Sequence, residues 1–406
     1  MQYVDMVAVD AALKELASGQ EIENLVGENN PFLAMVPKKT DFGGRNKPIP
    51  IITGTPQGRS STFTTAQANQ TAPQVEAFLL TSKSDYSLAS IDNRTLLSSA
   101  TDKMAFLEVG KLTIEGVIRA ASNSLASALW RSGTGTIGTI STISTGVITL
   151  SDRTSATQFE RDMVLQANAT DGGTPRAALG YIVAVDTNLG TVTVSASGYA
   201  GAAGTPSGWT AGDSLLVQGD NNLKISGVPA WIPPSAPSST PFYNVDRSVD
   251  PTRLGGVRFD GSAYSIEEAL IEGAYRLSSM GGPPADTCWL NFASYTALIK
   301  GLGSKVQYVD LEGPGKIAFR GVRIQGAQGE IKVIPDRNHL GMSAHLLVMS
   351  TWELDTLGPA PRILTEPDGN KILRVSNADA GELRAGYYGN LACRAPGWNA
   401  HITLGA

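Results

Sequence analysis

The segment from residue 41 to residue 74 constrains this chain more than any other, because it is too long and too poor in apolar residues to build a core of its own. Gly, Thr, Ser, Gln and Pro crowd it, and its one strand-like run is Ile49-Pro50-Ile51-Ile52. A stretch beyond about 15 residues without its own structure is uncommon inside a compact domain, unless it is functional or finds a partner elsewhere. The segment therefore reads as an extended arm. Directly after it, alternation through Phe78, Leu80, Tyr86, Leu88 and Ile91 predicts a strand over 76–91. From about 102 to 130, apolar residues recur at Leu107, Ile114, Ile118, Ala121, Leu125 and Leu129, while Glu108, Lys111, Glu115 and Arg119 form a ladder of alternating sign. That spacing predicts one helix on the order of 40 Å long. Upstream of the arm, residues 10–18 predict a short amphipathic helix with Asp10 as N-cap and Leu13 and Leu16 on one face.

Composition shifts at Gly133. From there to Asn222 no lysine occurs, and short β-like runs such as 146–150, 181–185, 191–194 and 214–217 alternate with glycine-rich turns. This stretch reads as an inserted all-β domain. Three arginines (Arg153, Arg161, Arg176) face seven acids in it, so −4 of the chain's net −5 resides there. After the proline-rich strip 229–241 a mixed body resumes. Ser265-Ile266-Glu267-Glu268 is a capping-box signature opening a helix that Gly281-Gly282-Pro283 ends. A strand is expected at 287–290 and a second helix at 293–300. Strands are also expected at 317–324, 331–334 and 346–349, with a turn at 367–370 between strands 362–364 and 372–375.

Several function classes are excluded or weakened. The chain has 406 residues, enough for two to four compact units. A net charge of −5 argues against sequence-specific nucleic-acid binding, which takes a clustered basic excess. Two cysteines without a CxxC write neither a zinc knot nor a disulfide framework. The N-terminus shows no signal-peptide pattern, and no apolar run approaches the ~18 residues a membrane span needs. Gly133-Thr134-Gly135-Thr136-Ile137-Gly138 matches a dinucleotide fingerprint formally. It follows a helix and opens a β-rich region, the reverse of what that fingerprint requires, so it reads as a domain junction. Gly313-Pro314-Gly315-Lys316 lacks the spacing of a phosphate loop. His339, His345 and His401, the only histidines, lie in no HExxH or GxSxG pattern, and His345 reads as a core or interface residue. No catalytic residue, cofactor or metal ligand is expected.

The order of parts resembles the major capsid proteins of tailed bacteriophages with the HK97-type fold. The residues that carry the resemblance are Asn30-Pro31-Phe32-Leu33-Ala34-Met35-Val36-Pro37, the Ser/Thr/Gln-rich loop, the spine helix, 265–270 through Gly281-Gly282-Pro283, Trp289-Leu290-Asn291 and Tyr295-Thr296-Ala297-Leu298. Near the C-terminus they are Gly386-Tyr387-Tyr388-Gly389-Asn390-Leu391 and Pro396-Gly397-Trp398-Asn399-Ala400. The likeness spans nearly everything except the insert.

That resemblance implies an α+β fold divided into an N-terminal arm (1–40), an extended loop (41–75), a peripheral domain with the spine helix (76–132), the inserted β-rich domain (133–228), an axial domain (229–360) and C-terminal strands returning to both (361–406). It implies a non-enzymatic shell subunit that assembles with itself into hexamers and pentamers around double-stranded DNA, held non-specifically, in a virion built in the bacterial cytoplasm. A separate scaffolding protein, a portal protein and a decoration protein are the other implied partners, and no membrane is. The extended loop would lie across a neighbouring subunit, with Arg45, Lys47, Arg59 and Phe63 as contact residues or, alternatively, solvated loop positions. No Lys–Asn crosslink pair can be matched. The acidic insert would face outward, away from DNA. A charged fraction of 17%, against a usual ~25%, fits a surface largely covered by other copies. The rivals are an encapsulin-like compartment shell, a secreted β-rich adhesin and, more remotely, a hydrolase.

Overall fold

The computed structural model describes residues 30–92, 103–199, 201–302, 308–312, 318–326, 328–339, 341–365, 369, 371–374 and 379–405. The expected helix at 10–18, with Asp10, Leu13 and Leu16, lies outside the described residues, as do Gly313–Lys316 and all of the 367–370 turn except Gly369.

In chain order the first elements are α1 (Pro31–Met35), β1 (Lys38–Lys39), β2 (Asn46–Gly54), α2 (Phe63–Ala68), β3 (Gln74–Thr81), β4 (Lys83–Asp92) and α3 (Lys103–Leu129). Six strands follow: β5 (Thr136–Ser144), β6 (Val147–Leu150), β7 (Val164–Asn168), β8 (Gly180–Asp186), β9 (Thr191–Ser195) and β10 (Ser214–Val217). Next come α4 (Val228–Trp231), β11 (Val257–Gly261), α5 (Ile266–Ser279), β12 (Thr287–Leu290), α6 (Phe292–Leu302), β13 (Tyr308–Glu312), β14 (Ala318–Gly326) and β15 (Gly329–Pro335). The last are β16 (Ser343–Leu347), β17 (Trp352–Thr356), β18 (Arg362–Ile363), β19 (Ile372–Arg374), β20 (Ala380–Cys393) and β21 (Ala400–Leu404).

The spine helix α3 buries Ile118, Ala121, Leu125 and Leu129, the i, i+3, i+4 stripe of one helical face. The side chains of Leu107, Glu108, Lys111 and Ile114, further up the same pattern, lie outside the described set. The stripe packs on a sheet organised around β20, which pairs antiparallel with β4, β17, β18 and β19, while β1 adds parallel to β17. Trp352, Leu354, Leu383, Tyr387 and Leu391 complete this core, and α1 pushes Phe32 between Trp130 and Trp289 at ring separations of 4.6 and 5.1 Å.

A second sheet runs β11-β21-β16-β12-β15-β14-β13. Helix α5 covers it with Ala269, Leu270, Ala274 and Leu277, and its start is the capping box that the sequence spelled, Ser265 accepting from the Glu268 N–H while Glu268 reaches back to the Ser265 N–H. The third unit is a closed barrel, β10-β5-β6-β9-β8-β7, filled by Ile140, Ile148, Leu165, Ile182, Val192, Val194, Trp209 and Leu215.

The chain enters and leaves this barrel at neighbouring points. Asn222 N–H donates to Thr134 O at 3.0 Å, and Gly227 N–H to Arg131 O at 3.0 Å. Gly227 is required there, since a Cβ would stand 2.2 Å from the carbonyl oxygen of Leu129. The glycine-rich run 133–138 opens strand β5 and no helix, so its likeness to a dinucleotide fingerprint is formal only.

Two expectations need correction. The strand expected over 76–91 is two strands broken at Ser82: β3 folds back on β2, and β4 joins β20. The alternation is continuous across the break, but Phe78 and Leu80 are fully buried while Tyr86 and Leu88 are 52% and 54% exposed, because each half meets a different sheet. Near the C-terminus, β18 and β19 do not pair with each other. Both lie on β20, at Ala385–Gly386 and Gly381–Leu383.

Candidate functional site: an extended hairpin and its anchor

Strands β2 and β3 form a two-stranded antiparallel ribbon, from Asn46 paired with Thr81 at its base to Gly54 paired with Gln74. At 3.3–3.4 Å per residue, the nine-residue β2 reaches roughly 30 Å. The base belongs to the body: Ile49, Phe78 and Leu80 are buried. None of residues 50–77 is buried. Ile52 is 70%, Val75 60% and Phe63 82% exposed, so the ribbon and the short helix α2 at its tip hold large apolar groups in water. An isolated two-stranded ribbon is marginal in water. This one is steadied from its root.

That root is electrostatic. Lys47 Nζ donates to Asp41 Oδ1 at 2.9 Å and to Asp355 Oδ1 at 2.8 Å, which ties β2 to β17. Burial lowers the affinity of Lys47 for its proton, but the bonds to the two carboxylates outweigh it and its pKa rises. Burial pushes the Asp355 carboxyl up despite Lys47, for its side chain is wholly shielded and its Oδ2 has no partner among the described residues. Beside it, Glu353 bridges Lys39 and Arg394 at 2.6 Å each. Asn390, at the crossing of several segments, accepts from Ser226 N–H and donates to Thr81 O and to Tyr243 Oη.

The four residues singled out from sequence therefore separate. Arg45 and Arg59 are exposed, Arg59 on the loop before the tip helix, and Phe63 opens that helix in solvent. Lys47 instead is engaged with its own chain. Ile52 and Val75 were missed; they stand across the ribbon from each other in register, a signal visible only once the pairing is known.

The three histidines converge, His339 and His345 from one stretch of sequence and His401 from a later strand. His345 on β16 lies opposite His401 on β21, and His339 joins them from the β15–β16 turn with its Nε2 2.7 Å from His345 Nδ1. Trp130 closes the cluster at 4.7 Å from His339 and 5.6 Å from His345. Burial holds His339 down to about 3, His401 down to about 4 and His345 well below the ordinary imidazole value. Burial also pushes Cys393 up to about 12 and Cys288 further, so both remain thiols. Among the described residues no group of three His, Cys, Asp or Glu is placed to hold a metal ion, and no helix is long and apolar enough to cross a membrane.

No protein-family description matches the chain, and no curated protein matches it in sequence. Solved structures do. The chain is similar to a subunit of the cyanophage A-1(L) capsid asymmetric unit, with a TM-score of 0.51 and 13% identity over 95% of this chain and 92% of that one. The fold is that of a phage capsid subunit. Other capsids are matched with lower scores, among them that of Myoviridae phage XM1 (TM-score 0.43, 7% identity, 91% and 90% covered) and that of an empty GTA particle (0.42, 7%, 91% and 95%). The resemblance drawn from the order of parts in the sequence is thereby met at the level of fold.

Proposed function

We propose that this chain is the major capsid protein of a tailed phage, with the HK97-type arrangement of parts, and that it assembles with itself into hexamers and pentamers enclosing double-stranded DNA. The observation that carries the reading is the hairpin. In a chain with a capsid fold, an anchored ribbon whose residues 50–77 include none buried has the form of an arm meant to be covered by a second copy. Ile52, Val75 and Phe63, with Arg59, are its contact residues; Arg45 stands at its foot, and Lys47 sets its direction. Assembly is driven by interface burial, with no catalytic step. The barrel, carrying a net −4 between residues 133 and 222, is an inserted domain on the outer face, where it avoids the charge of DNA. A scaffolding protein, a portal protein and a decoration protein are its further partners.

Electron microscopy and sizing of the expressed chain, with the scaffold of its own operon, test this. Shells or capsomers are expected, and a monodisperse monomer under all conditions sinks the proposal. Removing residues 54–70 should leave a folded subunit with the parent's thermal midpoint that no longer closes shells; normal particles from that variant would refute the role of the arm. A particle reconstruction with the barrel on the inner face would refute its placement.

A further inference from the structure

The two outer edges of the β2–β3 ribbon differ in kind. Leu79 N–H points away from β2 and donates to Tyr243 O at 2.9 Å, so Leu79 and its opposite number Pro48 form a pair that exchanges no backbone bonds. Backbone direction alternates along a strand. Pro48, Pro50 and Ile52 therefore turn their nitrogens out along the β2 edge, and Val75 and Ala77 turn theirs out along the β3 edge. Proline has no N–H to give, so the β2 edge lacks two successive donors, which closes it to a further strand. The β3 edge keeps its donors, and among the described residues no backbone carbonyl accepts from Ala77 or Val75.

A second open edge lies on β4, whose one strand partner among the described residues is β20. Leu364 and Leu357 N–H donate to the carbonyls of Arg384 and Tyr388 at 2.8 Å each, so these two β20 residues face away from β4. Their opposite numbers on β4, Leu88 and Ser84, then face away from β20, and alternation gives Tyr86 and Ser90 the same direction. This edge contains no proline and is ten residues long, against five for β11 and β13 at the ends of the other open sheet.

Side chains agree with the backbone. Residues whose backbone points to one edge also share a face of the strand. Val75, Ala77 and Leu79 thus lie on the face of Pro48, Pro50 and Ile52, a surface without a charge. On β4 the matching face is Ser84, Tyr86, Leu88 and Ser90, all exposed and likewise uncharged. We infer that the β3 edge of one copy adds as a strand to the β4 edge of a second copy, so that the ribbon extends the neighbour's β20 sheet. The inference rests on the reading of the chain as a shell subunit and says how its arm is held. Val75 and Ala77 would exchange backbone bonds with β4 while their side chains adjoin Tyr86 and Leu88. One chain cannot make this contact with itself. Only Ser82 separates β3 from β4, and a strand needs at least two residues to turn back on its neighbour. Unlike edges meeting head to tail give a heterologous contact, which can close into rings, whereas like edges would stop at a dimer.

The test uses the full chain under conditions in which the parent assembles. Single-cysteine variants are mixed in pairs before assembly and oxidised mildly: Val75→Cys with Ser84→Cys, Tyr86→Cys, Leu88→Cys or Ser90→Cys. Cys288 and Cys393 are buried and stay out of the reaction. Disulfide-linked dimers are expected from at least one mixture, and none when Ile52→Cys, on the closed edge, replaces Val75→Cys. Ala77→Pro removes a donor that the lone subunit does not use, so it should keep the parent's thermal midpoint and weaken association roughly tenfold. Pro50→Ala should associate as the parent does. Crosslinks of Val75→Cys with itself alone, crosslinks from Ile52→Cys instead, or undiminished association of a folded Ala77→Pro overturn the inference. Should Ala77→Pro fail to fold, the cysteine mixtures decide. If no mixture crosslinks while the parent builds shells, the strand addition is wrong and the shell reading stands; a parent that stays monomeric at every concentration removes both.

Discussion

Three buried imidazoles in contact make the stability of this protein depend on pH in a definite direction. In the unfolded chain each histidine titrates near 6.5. In the folded one burial holds His339 and His401 to about 3 and 4, and His345 is held down by the same cause. The unfolded chain then binds more protons below pH 6.5, so the stability present above that value is lost as pH falls through 6.5 toward 4. Arg131 and Arg258 face the cluster and oppose its protonation, while buried Asp336, whose Oδ2 accepts from Trp130 Nε1 at 3.1 Å, is itself pushed up and acts with the opposite sign. The expected outcome is a thermal midpoint that drops between pH 7 and pH 5, with a shallower slope in His401→Gln. Equal slopes in the two proteins would count against it. Nothing in the spacing of residues 339, 345 and 401 announces this cluster, because the pairing of β16 with β21 is what brings the last two face to face.

At the scale of elements, the local features were legible and the long-range ones were not. Strand β12 falls on residues 287–290 as read, and α5 begins at its capping box, because both are fixed by signals within a few residues. The hairpin differs. Its second strand flows into β4 with only Ser82 between, so an unbroken alternation hid a change of partner. Its anchor is equally remote, Lys47 and Asp355 being 308 residues apart. Replacing Lys47 by Met should strand a fully shielded Asp355 charge and cost roughly 2–4 kcal/mol, somewhat below a wholly buried pair because Lys47 is itself part-exposed. Lys47→Met with Asp355→Asn should recover much of that loss in urea titrations. A single variant as stable as the parent, or a double variant weaker than the single, would show that the pair does not hold the hairpin.

For the whole molecule, three separate cores define how far its parts can be parted. The barrel shares no core residue with the body, and its incoming and outgoing chains are already hydrogen-bonded side by side. Excising residues 136–219 with a short Gly/Ser bridge should therefore leave a soluble body that melts cooperatively; an unfolded product by circular dichroism would show that the barrel is integral. The composition shift at Gly133 was enough to foresee β structure there, yet closure of six strands into a barrel is a matter of register that no single run of residues encodes.

The position of β20 and β21 has a further consequence, for the timing of synthesis. β20 is the strand on which β4, β17, β18 and β19 all depend, and β21 lies between β11 and β16. Both fall within the final 27 residues of the chain as given, Ala380–Ala406. A nascent chain still lacking them can finish neither sheet, however long its earlier parts have been outside the ribosome. Folding of both sheets therefore waits until residues 380–404 have been made. Ribosome-bound chains halted before residue 380 should accordingly stay protease-sensitive throughout their first and second sheets, and gain resistance only when the last strands emerge.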